Sequence, residues 1–400
     1  MNTPLPYAHI RVVEFTHMVM GPTCGMVLAD LGAEVIKVEP IGHGHQGDAT
    51  RQLIGSGSGF FPMFNRNKKS LALDLKTPEG LEAVLRLIAT ADIVTENFKP
   101  GTMDKLGLNY ASLKKLNPRL IYVSHKGFLP GPYAHRTALD EVVQMMGGLA
   151  YMTGRPGDPL RAGTSVNDIM GGMFGAIGAM AALAQREQTG VGQEVQSALF
   201  ENNVFLVAQH MMQFEVTGQA AAPMPSRISA WAVYDVFQVQ NGEQIFLAVV
   251  SDTAWAHFCD AFSYTELKSD PRLTSNNDRV RAREWMMPIL RERMGAFTAQ
   301  HLAEVFEKNA LPYAPITRPH DLLNDPHLQA TGGLAPIDLP DGRKAQAVLM
   351  PITMNQERLT VRSSPPRLGE HNHHILQALG YSDQAIKALS ASLPSETPLT

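Results

Sequence analysis

The sequence has few cysteines and no excess of positive charge. Its two cysteines, Cys24 and Cys259, lie far apart and belong to no CxxC pair, so neither a disulfide framework nor a cysteine metal site is indicated. With 34 Lys and Arg against 38 Asp and Glu, the formal net charge is -4. We therefore expect no nucleic-acid partner and no membrane partner, and an anionic ligand would need a local cluster of cations.

The chain also lacks the features of exported and membrane proteins. Its first residues have neither the basic nor the apolar region of a signal peptide. The longest uncharged stretch, residues 169–185, is short for a bilayer span and rich in glycine and alanine. We interpret this stretch as a buried helix and expect a cytoplasmic protein.

Several signatures of nucleotide, hydrolase and metal chemistry are missing or misplaced. The sequence has no P-loop and no GxSxG elbow. A GxGxxG sequence occurs at residues 42–47, but a dinucleotide fingerprint belongs in the first βα turn. The histidines cluster at 43 and 45 and at 371, 373 and 374, and neither group supplies a full set of zinc ligands. We interpret these histidines as solvated loop or helix-start residues, and we expect no metal and no permanently bound cofactor.

The order of apolar and amphipathic segments predicts an α/β fold. Strand-like segments at 10–15 and 34–38 flank a helical segment at 21–31, which makes a βαβ unit. Strands are also expected at 70–75, 92–95 and 120–124, so the first domain should hold a mostly parallel sheet covered by helices. A hinge at 218–225 and an Asn241-Gly242 hairpin turn indicate a second, small α+β domain. The predicted division is a large domain over 1–217, a small domain over 225–330, and a segment over 331–400 that returns to the large domain.

Asp168 is the only charged residue between Arg161 and Arg186. It stands directly before the small, apolar stretch that we interpret as a helix. Asp is a preferred N-cap residue, so capping is one interpretation. A carboxylate beside an uncharged wall is also suited to react with a substrate, and the residues alone leave both interpretations open.

Read in order, several segments resemble the class III CoA-transferases, the family of formyl-CoA transferase and carnitine CoA-transferase. They are Gly21-Pro22, LADLGAEVIKVE (28–39), GDATR (47–51), NRNKKSLALDLKTPEG (65–80), ADIVTENFKPG (91–101), SHKGF (124–128), Asn167-Asp168, TGVGQ (189–193) and LGEH (368–371). The resemblance spans nearly the whole chain, and both order and spacing hold. It implies a Rossmann-like large domain with a parallel sheet, a small α+β domain, and a homodimer of two chains threaded as interlocked rings.

The resemblance also implies the chemistry, because the catalytic aspartate of the family falls where Asp168 falls. Its carboxylate attacks the thioester of an acyl-CoA to form an aspartyl anhydride, and an aspartyl-CoA thioester follows. We expect Asp168 to be ionised at pH 7, so that no general base is needed. We also expect free backbone amides at the helix start to hold the developing oxyanion. Acyl-CoA and a small carboxylic acid are then the partners, and coenzyme A is a substrate.

The family's contact pattern implies a CoA site on two sets of residues. The adenine and phosphate end should contact Leu73, Asp74, Leu75, Lys76, Asn97, Phe98, Lys99 and Lys105. The pantetheine should pass near Met18, Val19, Met20, Thr137, Ala138, Leu139 and Asp140. For Lys68, Lys69 and Lys76, a phosphate contact and an ordinary solvated face both remain open.

The sequence departs from the family pattern at two places that bear on the substrate. Pro40 stands where formyl-CoA transferase has an arginine, and residues 225–231 replace its glycine-rich loop. Arg227 lies in that replacement and is suited to bind the distal carboxylate of a dicarboxylic acid. We hypothesise succinyl-CoA as the donor and a small dicarboxylic acid as the acceptor.

Two other functions stay open as alternatives. An α-methylacyl-CoA racemase would use His directly before Asp as one of two bases, but this chain has Leu139 before Asp140, and leucine cannot move a proton. A non-catalytic acyl-CoA-binding homologue is the second alternative. The retention of Asp168 argues against it.

Overall fold

The computed structural model describes residues 4–227 and 230–393, which divide into two compact units. The first unit holds the residues up to 225 and those from 326 onward, and the second holds 226–325. The strands of the amino-terminal part are β1 (Arg11–Phe15), β2 (Glu34–Gly42), β3 (His45–Gln46), β4 (Lys68–Leu73), β5 (Ile93–Glu96), β6 (Ile121–Lys126) and β7 (Glu194–Ala198). Its helices are α1 (Met20–Asp30), α2 (Phe60–Phe64), α3 (Pro78–Ile88), α4 (Thr102–Lys105), α5 (Tyr110–Leu116), α6 (Asp140–Met146), α7 (Leu149–Thr153), α8 (Val166–Thr189) and α9 (Leu199–Thr217).

Six of these strands form a parallel sheet in the order β4-β2-β1-β5-β6-β7, and the short β3 adds to β2 in antiparallel fashion. The predicted α/β fold with a parallel sheet is confirmed. Because all six strands run the same way, their carboxyl ends meet along one edge of the sheet. In open α/β sheets this edge is where ligands bind.

The core of this unit has one apolar layer on each face of the sheet. Val12 packs in the layer that contains Leu28 of α1 and Ala179 of α8. Its neighbour Val13 belongs to the layer that contains Val84 and Leu87 of α3. Successive side chains of a strand point to opposite faces, so a run of apolar residues fits a sheet that is covered on both sides.

Helix α8 packs closely on the sheet and on α1, as its small residues predict. A Cβ atom at Gly172 would lie 2.4 Å from the Met20 carbonyl oxygen, and one at Gly175 would lie 2.3 Å from His125 Cε1. Among the described helices, α8 is also long and apolar enough to cross a membrane by length and composition; its 24 residues extend beyond the uncharged stretch at both ends. Its glycines instead seat it against the core.

The second unit contains a three-stranded antiparallel sheet in the order β10-β9-β8, from β8 (Val233–Gln238), β9 (Gln244–Val249) and β10 (Tyr313–Pro315). Its helices are α10 (Asp252–Ala261), α11 (Thr265–Lys268), α12 (Asn276–Arg281), α13 (Arg283–Gly295) and α14 (Ala299–Lys308). Asn241 and Gly242 both have positive φ between β8 and β9, as the turn prediction requires. Trp255 and Phe258 of α10 pack in its core.

The carboxyl-terminal part belongs to the first unit. Its strands are β11 (Leu334–Asp338), β12 (Lys344–Val348), β13 (Thr353–Met354) and β14 (Glu357–Arg358), and its helices are α15 (Pro326–Ala330), α16 (Asn372–Ala378) and α17 (Asp383–Leu389). The Asn372 amide pairs with both backbone groups of Ala72 on β4, at 2.7 and 2.9 Å. His371 is the N-cap residue of α16 and accepts from the Ser70 amide at 3.2 Å, which agrees with its interpretation as a helix-start histidine.

Candidate active site

Asp168 lies in the first turn of α8, as the third residue of the helix, and its side chain is partly buried. The N-cap position belongs to Ser165, so the interpretation of Asp168 as the helix cap is wrong. Among the described residues, none donates a hydrogen bond to the Asp168 carboxylate. Both of its oxygens are therefore available to a substrate.

The start of α8 is held by a carboxylate from another helix. The Ser165 side chain makes no capping hydrogen bond. Instead Asp140 Oδ2, at the start of α6, accepts from the backbone amides of Asn167 at 2.7 Å and Asp168 at 2.9 Å. Capping by Asp140 therefore fixes the start of α8 relative to α6.

No amide of this first turn is left for an oxyanion. Besides the two amides bound by Asp140, the Val166 amide donates to the Thr164 carbonyl at 2.9 Å, and the Ile169 amide donates to the Ser165 carbonyl at 3.0 Å. The expectation that free amides at this helix start stabilise the oxyanion is therefore wrong.

The environment of Asp168 disfavours its ionised form. Burial is the largest cause, followed by the negative charges of Asp140 and Glu141, and together they raise the pKa of Asp168 to about 7. The expectation that Asp168 is ionised at pH 7 is therefore wrong, because a carboxyl group with this raised pKa is still partly protonated at that pH. A carboxylate with a raised pKa is also more basic, which favours attack on a carbonyl.

The sequence did not reveal two residues that organise this site. The Gln144 side chain donates to Asp140 Oδ1 and accepts from the Ala162 amide at 2.7 Å. Glu141 forms an ion pair with Arg161. Asp140 and Gln144 are four residues apart on a helix, a spacing at which Gln and Asp side chains meet, so the pair carried a local signal.

The structure brings three of the predicted CoA contacts together beyond the ends of β1 and β5. Asn97 Oδ1 accepts from the His17 amide at 2.9 Å, and Asn97 Nδ2 donates to the His17 carbonyl at 2.7 Å. The ring of Phe98 stacks on that of His17, with centroids 5.8 Å apart. Met18 is 38% exposed and has φ of +63°. Asn97 thus holds a loop whose next residue adopts a left-handed conformation that is costly outside glycine.

The neighbours of Met18 differ in exposure. The side chains of Val19 and Met20 are buried in the core. The two residues as a whole are only 1% and 4% exposed, so of these three predicted contacts Met18 alone presents surface to a ligand.

Lys68, the first residue of β4, has a structural role. Lys68 is buried, forms an ion pair with Glu14 at 2.9 Å, and donates to the Pro22 carbonyl at 2.9 Å. Neither a solvated face nor a phosphate contact, the two interpretations left open for it, describes this residue. Burial, as the largest cause, lowers the pKa of Lys68 to about 8. Lys37, also buried, donates to the Thr16 carbonyl at 2.6 Å, so both lysines fasten the segment that leads into α1.

The other predicted CoA contacts lie at the same edge of the sheet or next to α6. Leu73 ends β4 and is buried, Asp74 and Leu75 are half-buried beyond it, and Lys76, Lys99 and Lys105 are exposed. Thr137, Ala138 and Leu139 precede α6, and Asp140 is buried at its start. A cavity of about 230 Å³ lies beyond β5 and β6, lined in part by Lys99, Tyr110, Tyr122 and Lys126.

Three further observations concern the racemase alternative, the predicted substrate contact and metal binding. Leu139 is 62% exposed directly before Asp140 and carries no titratable group. Arg227 belongs to the second unit and is half-buried after the turn Met224–Ser226. In the part of the chain that the structure describes, no group of three His, Cys, Asp or Glu residues is arranged to hold a metal ion.

Comparison with known proteins agrees with this architecture. The model of CoA-transferase family III matches residues 7–372. The succinate–glutarate CoA-transferase of Agrobacterium fabrum is 35% identical over 94% of this chain and 96% of its own length. The acetyl-CoA:oxalate CoA-transferase of Acetobacter aceti is 35% identical over 86% of this chain and 87% of its own.

A solved structure has the same fold. The crystal structure of a CAIB/BAIF family protein from Brucella suis is 34% identical, covers 94% of this chain and 100% of its own, and superposes with a TM-score of 0.83. The chain belongs to CoA-transferase family III, and it is an enzyme that uses CoA thioesters as substrates.

Proposed function

We propose that this enzyme transfers CoA from succinyl-CoA to a small dicarboxylic acid, with Asp168 as the nucleophile. The observation that carries the proposal is the position of Asp168, which is partly buried in the first turn of α8 with no hydrogen bond from the described residues to its carboxylate. Two relatives, named for glutarate and for oxalate, act on dicarboxylic acids, which supports the substrate class.

The proposed reaction exchanges acyl groups without net proton transfer. An Asp168 oxygen attacks the thioester carbonyl, the C–S bond breaks, and CoA leaves as thiolate, which gives an aspartyl succinyl anhydride. The thiolate attacks the aspartyl carbonyl of this anhydride, so that succinate leaves and an aspartyl-CoA thioester forms. The acceptor carboxylate then attacks that thioester, and the released thiolate takes the acceptor's acyl group from the second anhydride. Each step replaces one activated acyl bond by another, so the energy of the thioester is kept.

The raised pKa of Asp168 fits these steps. A carboxylate that burial and two neighbouring carboxylates make more basic attacks a thioester more readily than a solvated one. The same environment repels the developing oxyanion of the tetrahedral intermediate, so cationic or amide donors must approach it when the substrate binds.

Arg227 is our proposed contact for the distal carboxylate of the acid. A guanidinium binds a carboxylate through two parallel hydrogen bonds, which separates dicarboxylic from monocarboxylic acids. Arg227→Met removes both of these hydrogen bonds and should raise the KM for succinate by at least about tenfold, because a single charge-assisted hydrogen bond already contributes about 1.5 kcal/mol. The use of acetate should be unchanged. An unchanged KM for succinate would exclude this residue as the contact.

We also propose that the enzyme works in the cytoplasm as an interlocked homodimer and has no permanently bound cofactor. The resemblance of nearly the whole chain to the family supports the dimer. Sedimentation of the purified protein should give twice the mass of 43.7 kDa at micromolar concentration. A monomer that turns over at the full rate would contradict the proposal.

Turnover with a panel of acids tests the function. Succinyl-CoA should donate CoA to glutarate, oxalate or another dicarboxylic acid, and Asp168→Asn should abolish the exchange. The racemase alternative has no second base at Leu139, and we expect no loss of deuterium from an α-deuterated 2-methylacyl-CoA. Deuterium loss without CoA exchange would support the racemase instead.

A further inference from the structure

Asp140 has a place in the site that its predicted role as a CoA contact does not explain. Its side chain is only 4% exposed, and both carboxylate oxygens have partners inside the protein. Oδ2 accepts from the backbone amides of Asn167 and Asp168, at 2.7 and 2.9 Å. Such a carboxylate has no oxygen free for a ligand.

The second oxygen ties the preceding loop to the same helix. Asp140 Oδ1 accepts from Gln144, and Gln144, which is fully buried, accepts from the Ala162 amide at 2.7 Å. The segment from residue 162 to 168 is therefore fastened to α6 at both of its ends. Since Ser165 offers no side-chain cap, these bonds replace the local capping that most helices use.

Asp140 also places a negative charge against the nucleophile. On α6, Glu141 adds a second one, although its ion pair with Arg161 offsets part of it. On β6, His125 lies beneath Gly175, and burial, as the largest cause, lowers its pKa to about 3, so it is neutral at pH 7. On α9, Glu201 accepts from the Leu129 amide. Among the described groups, the charges that act on Asp168 come from α6.

We propose that Asp140 is the positioning residue of the nucleophile: it fixes the first turn of α8 through two backbone amides and keeps a like charge beside the Asp168 carboxylate. This inference rests on the proposed function, because it assigns Asp140 a role only if Asp168 attacks the thioester. The residue acts through Asp168 and touches neither substrate. Its two effects separate experimentally, since one depends on backbone hydrogen bonds and the other on charge.

Four variants test the proposal through the pH profile of kcat/KM for succinyl-CoA. Asp140→Asn keeps an oxygen for the two amides but removes the charge. On the acidic side of the profile, the apparent pKa below which kcat/KM falls (the acidic limb) should decrease by on the order of one pH unit. The constant value of kcat/KM above that pKa should fall as well, because a less basic carboxylate attacks more slowly. Asp140→Ala removes the acceptor and should lower kcat by about 100-fold, the effect of misplacing a reacting group by roughly 1 Å.

Glu141→Gln is the matched control for charge, because its side chain binds neither amide. It should shift the acidic side of the pH profile in the same direction as Asp140→Asn but by less, since its charge effect is the smaller one. The double variant Asp140→Asn/Gln144→Glu guards against a misfolded single variant. Its new carboxylate at position 144 accepts from the new side-chain amide at position 140 and from the Ala162 amide. Every hydrogen bond is then restored, but the negative charge lies farther from the start of α8. The double variant should therefore melt at the wild-type temperature and still show the lowered pKa on the acidic side of its kcat/KM profile.

The outcomes separate this proposal from simpler roles. A higher KM for succinyl-CoA with wild-type kcat and pH profile in Asp140→Asn would make Asp140 a CoA contact and overturn the proposal. A lower melting temperature with an unshifted profile would make its role structural and overturn it as well. If Asp168→Asn keeps full turnover, the proposed function fails. If Asp168→Asn is inactive while Asp140→Asn matches wild type, only the inference about Asp140 fails.

Discussion

Asp168→Asn should stabilise the folded protein at high pH while it abolishes turnover. The pKa of Asp168 is raised to about 7 in the folded state from 3.8 in the unfolded chain, a difference of about three pH units. At about 1.4 kcal/mol per unit, ionised Asp168 costs the folded state at most about 4 kcal/mol. The residue is partly accessible to water, so this value is an upper bound. Asparagine has nearly the same shape and no charge, and it removes that cost.

The sign of the pH dependence follows from the raised pKa. Below about pH 3, well under the unfolded-state pKa of 3.8, Asp168 is neutral in both states, and the variant and wild type should have equal stability. As the pH rises, the unfolded chain loses its proton first, so the wild type loses stability until the pH passes about 7. At pH 5 the variant should gain less than about 2 kcal/mol, and above pH 8 the full amount.

Thermal melting at fixed protein concentration measures this difference. For a chain of 400 residues, 4 kcal/mol corresponds to a rise in Tm of at most about 5 °C at pH 8.5. Asp158→Asn is the control, because that carboxylate is 63% exposed, and its Tm should follow the wild type at both pH values. A Tm gain of Asp168→Asn that is the same at pH 5 and pH 8.5, or no gain at all, would refute the reasoning.

Three other predictions concern the acidic limb, the loop at Met18 and the packing of α8. The wild-type kcat/KM for succinyl-CoA should fall about tenfold per pH unit below pH 7, because the attacking form of Asp168 is lost there, whereas a constant value down to pH 5 would contradict the raised pKa. Asn97→Ala removes two hydrogen bonds to His17 and should raise the KM for succinyl-CoA about tenfold with little change in kcat, and Asn97→Asp, which keeps one of them, should lie between. Gly172→Ala sets a Cβ 2.4 Å from the Met20 carbonyl and should cost about 2 kcal/mol of stability in urea unfolding, whereas Gly59→Ala, with open space around it, should cost little.

The sequence predicted the elements of the fold, because they are encoded in nearby residues. Apolar runs separated by helical segments predicted the strands of the parallel sheet, and the uncharged stretch after Asp168 predicted a buried helix. The partners of buried charges could not be predicted in this way, since Lys68 pairs with Glu14, 54 positions earlier in the chain. The same holds for the docking of His371 on Ser70, across 301 positions.

The cap of α8 shows why the hydrogen bonds and charges around Asp168 could not be predicted from the sequence. Local rules place a cap within the first residues of a helix, and Asp168 was the cap that the sequence analysis considered. The structure uses Asp140, 28 positions before Asp168, which reaches the helix start only once α6 and α8 have packed. Asp140 also contributes, after burial, to the raised pKa of Asp168. One distant carboxylate therefore occupies the amides that were expected to be free and helps to keep Asp168 from being fully ionised at pH 7.

Mapping the covalent intermediate tests the central claim most directly. The enzyme is mixed with succinyl-CoA, quenched with hydroxylamine and digested with trypsin. Cleavage after Arg161 and Arg186 releases residues 162–186, in which Asp168 is the only side-chain carboxylate. We predict a hydroxamate on this peptide that depends on succinyl-CoA and is missing in Asp168→Asn. Modification of another peptide, or an unmodified enzyme that turns over at the full rate, would contradict the account.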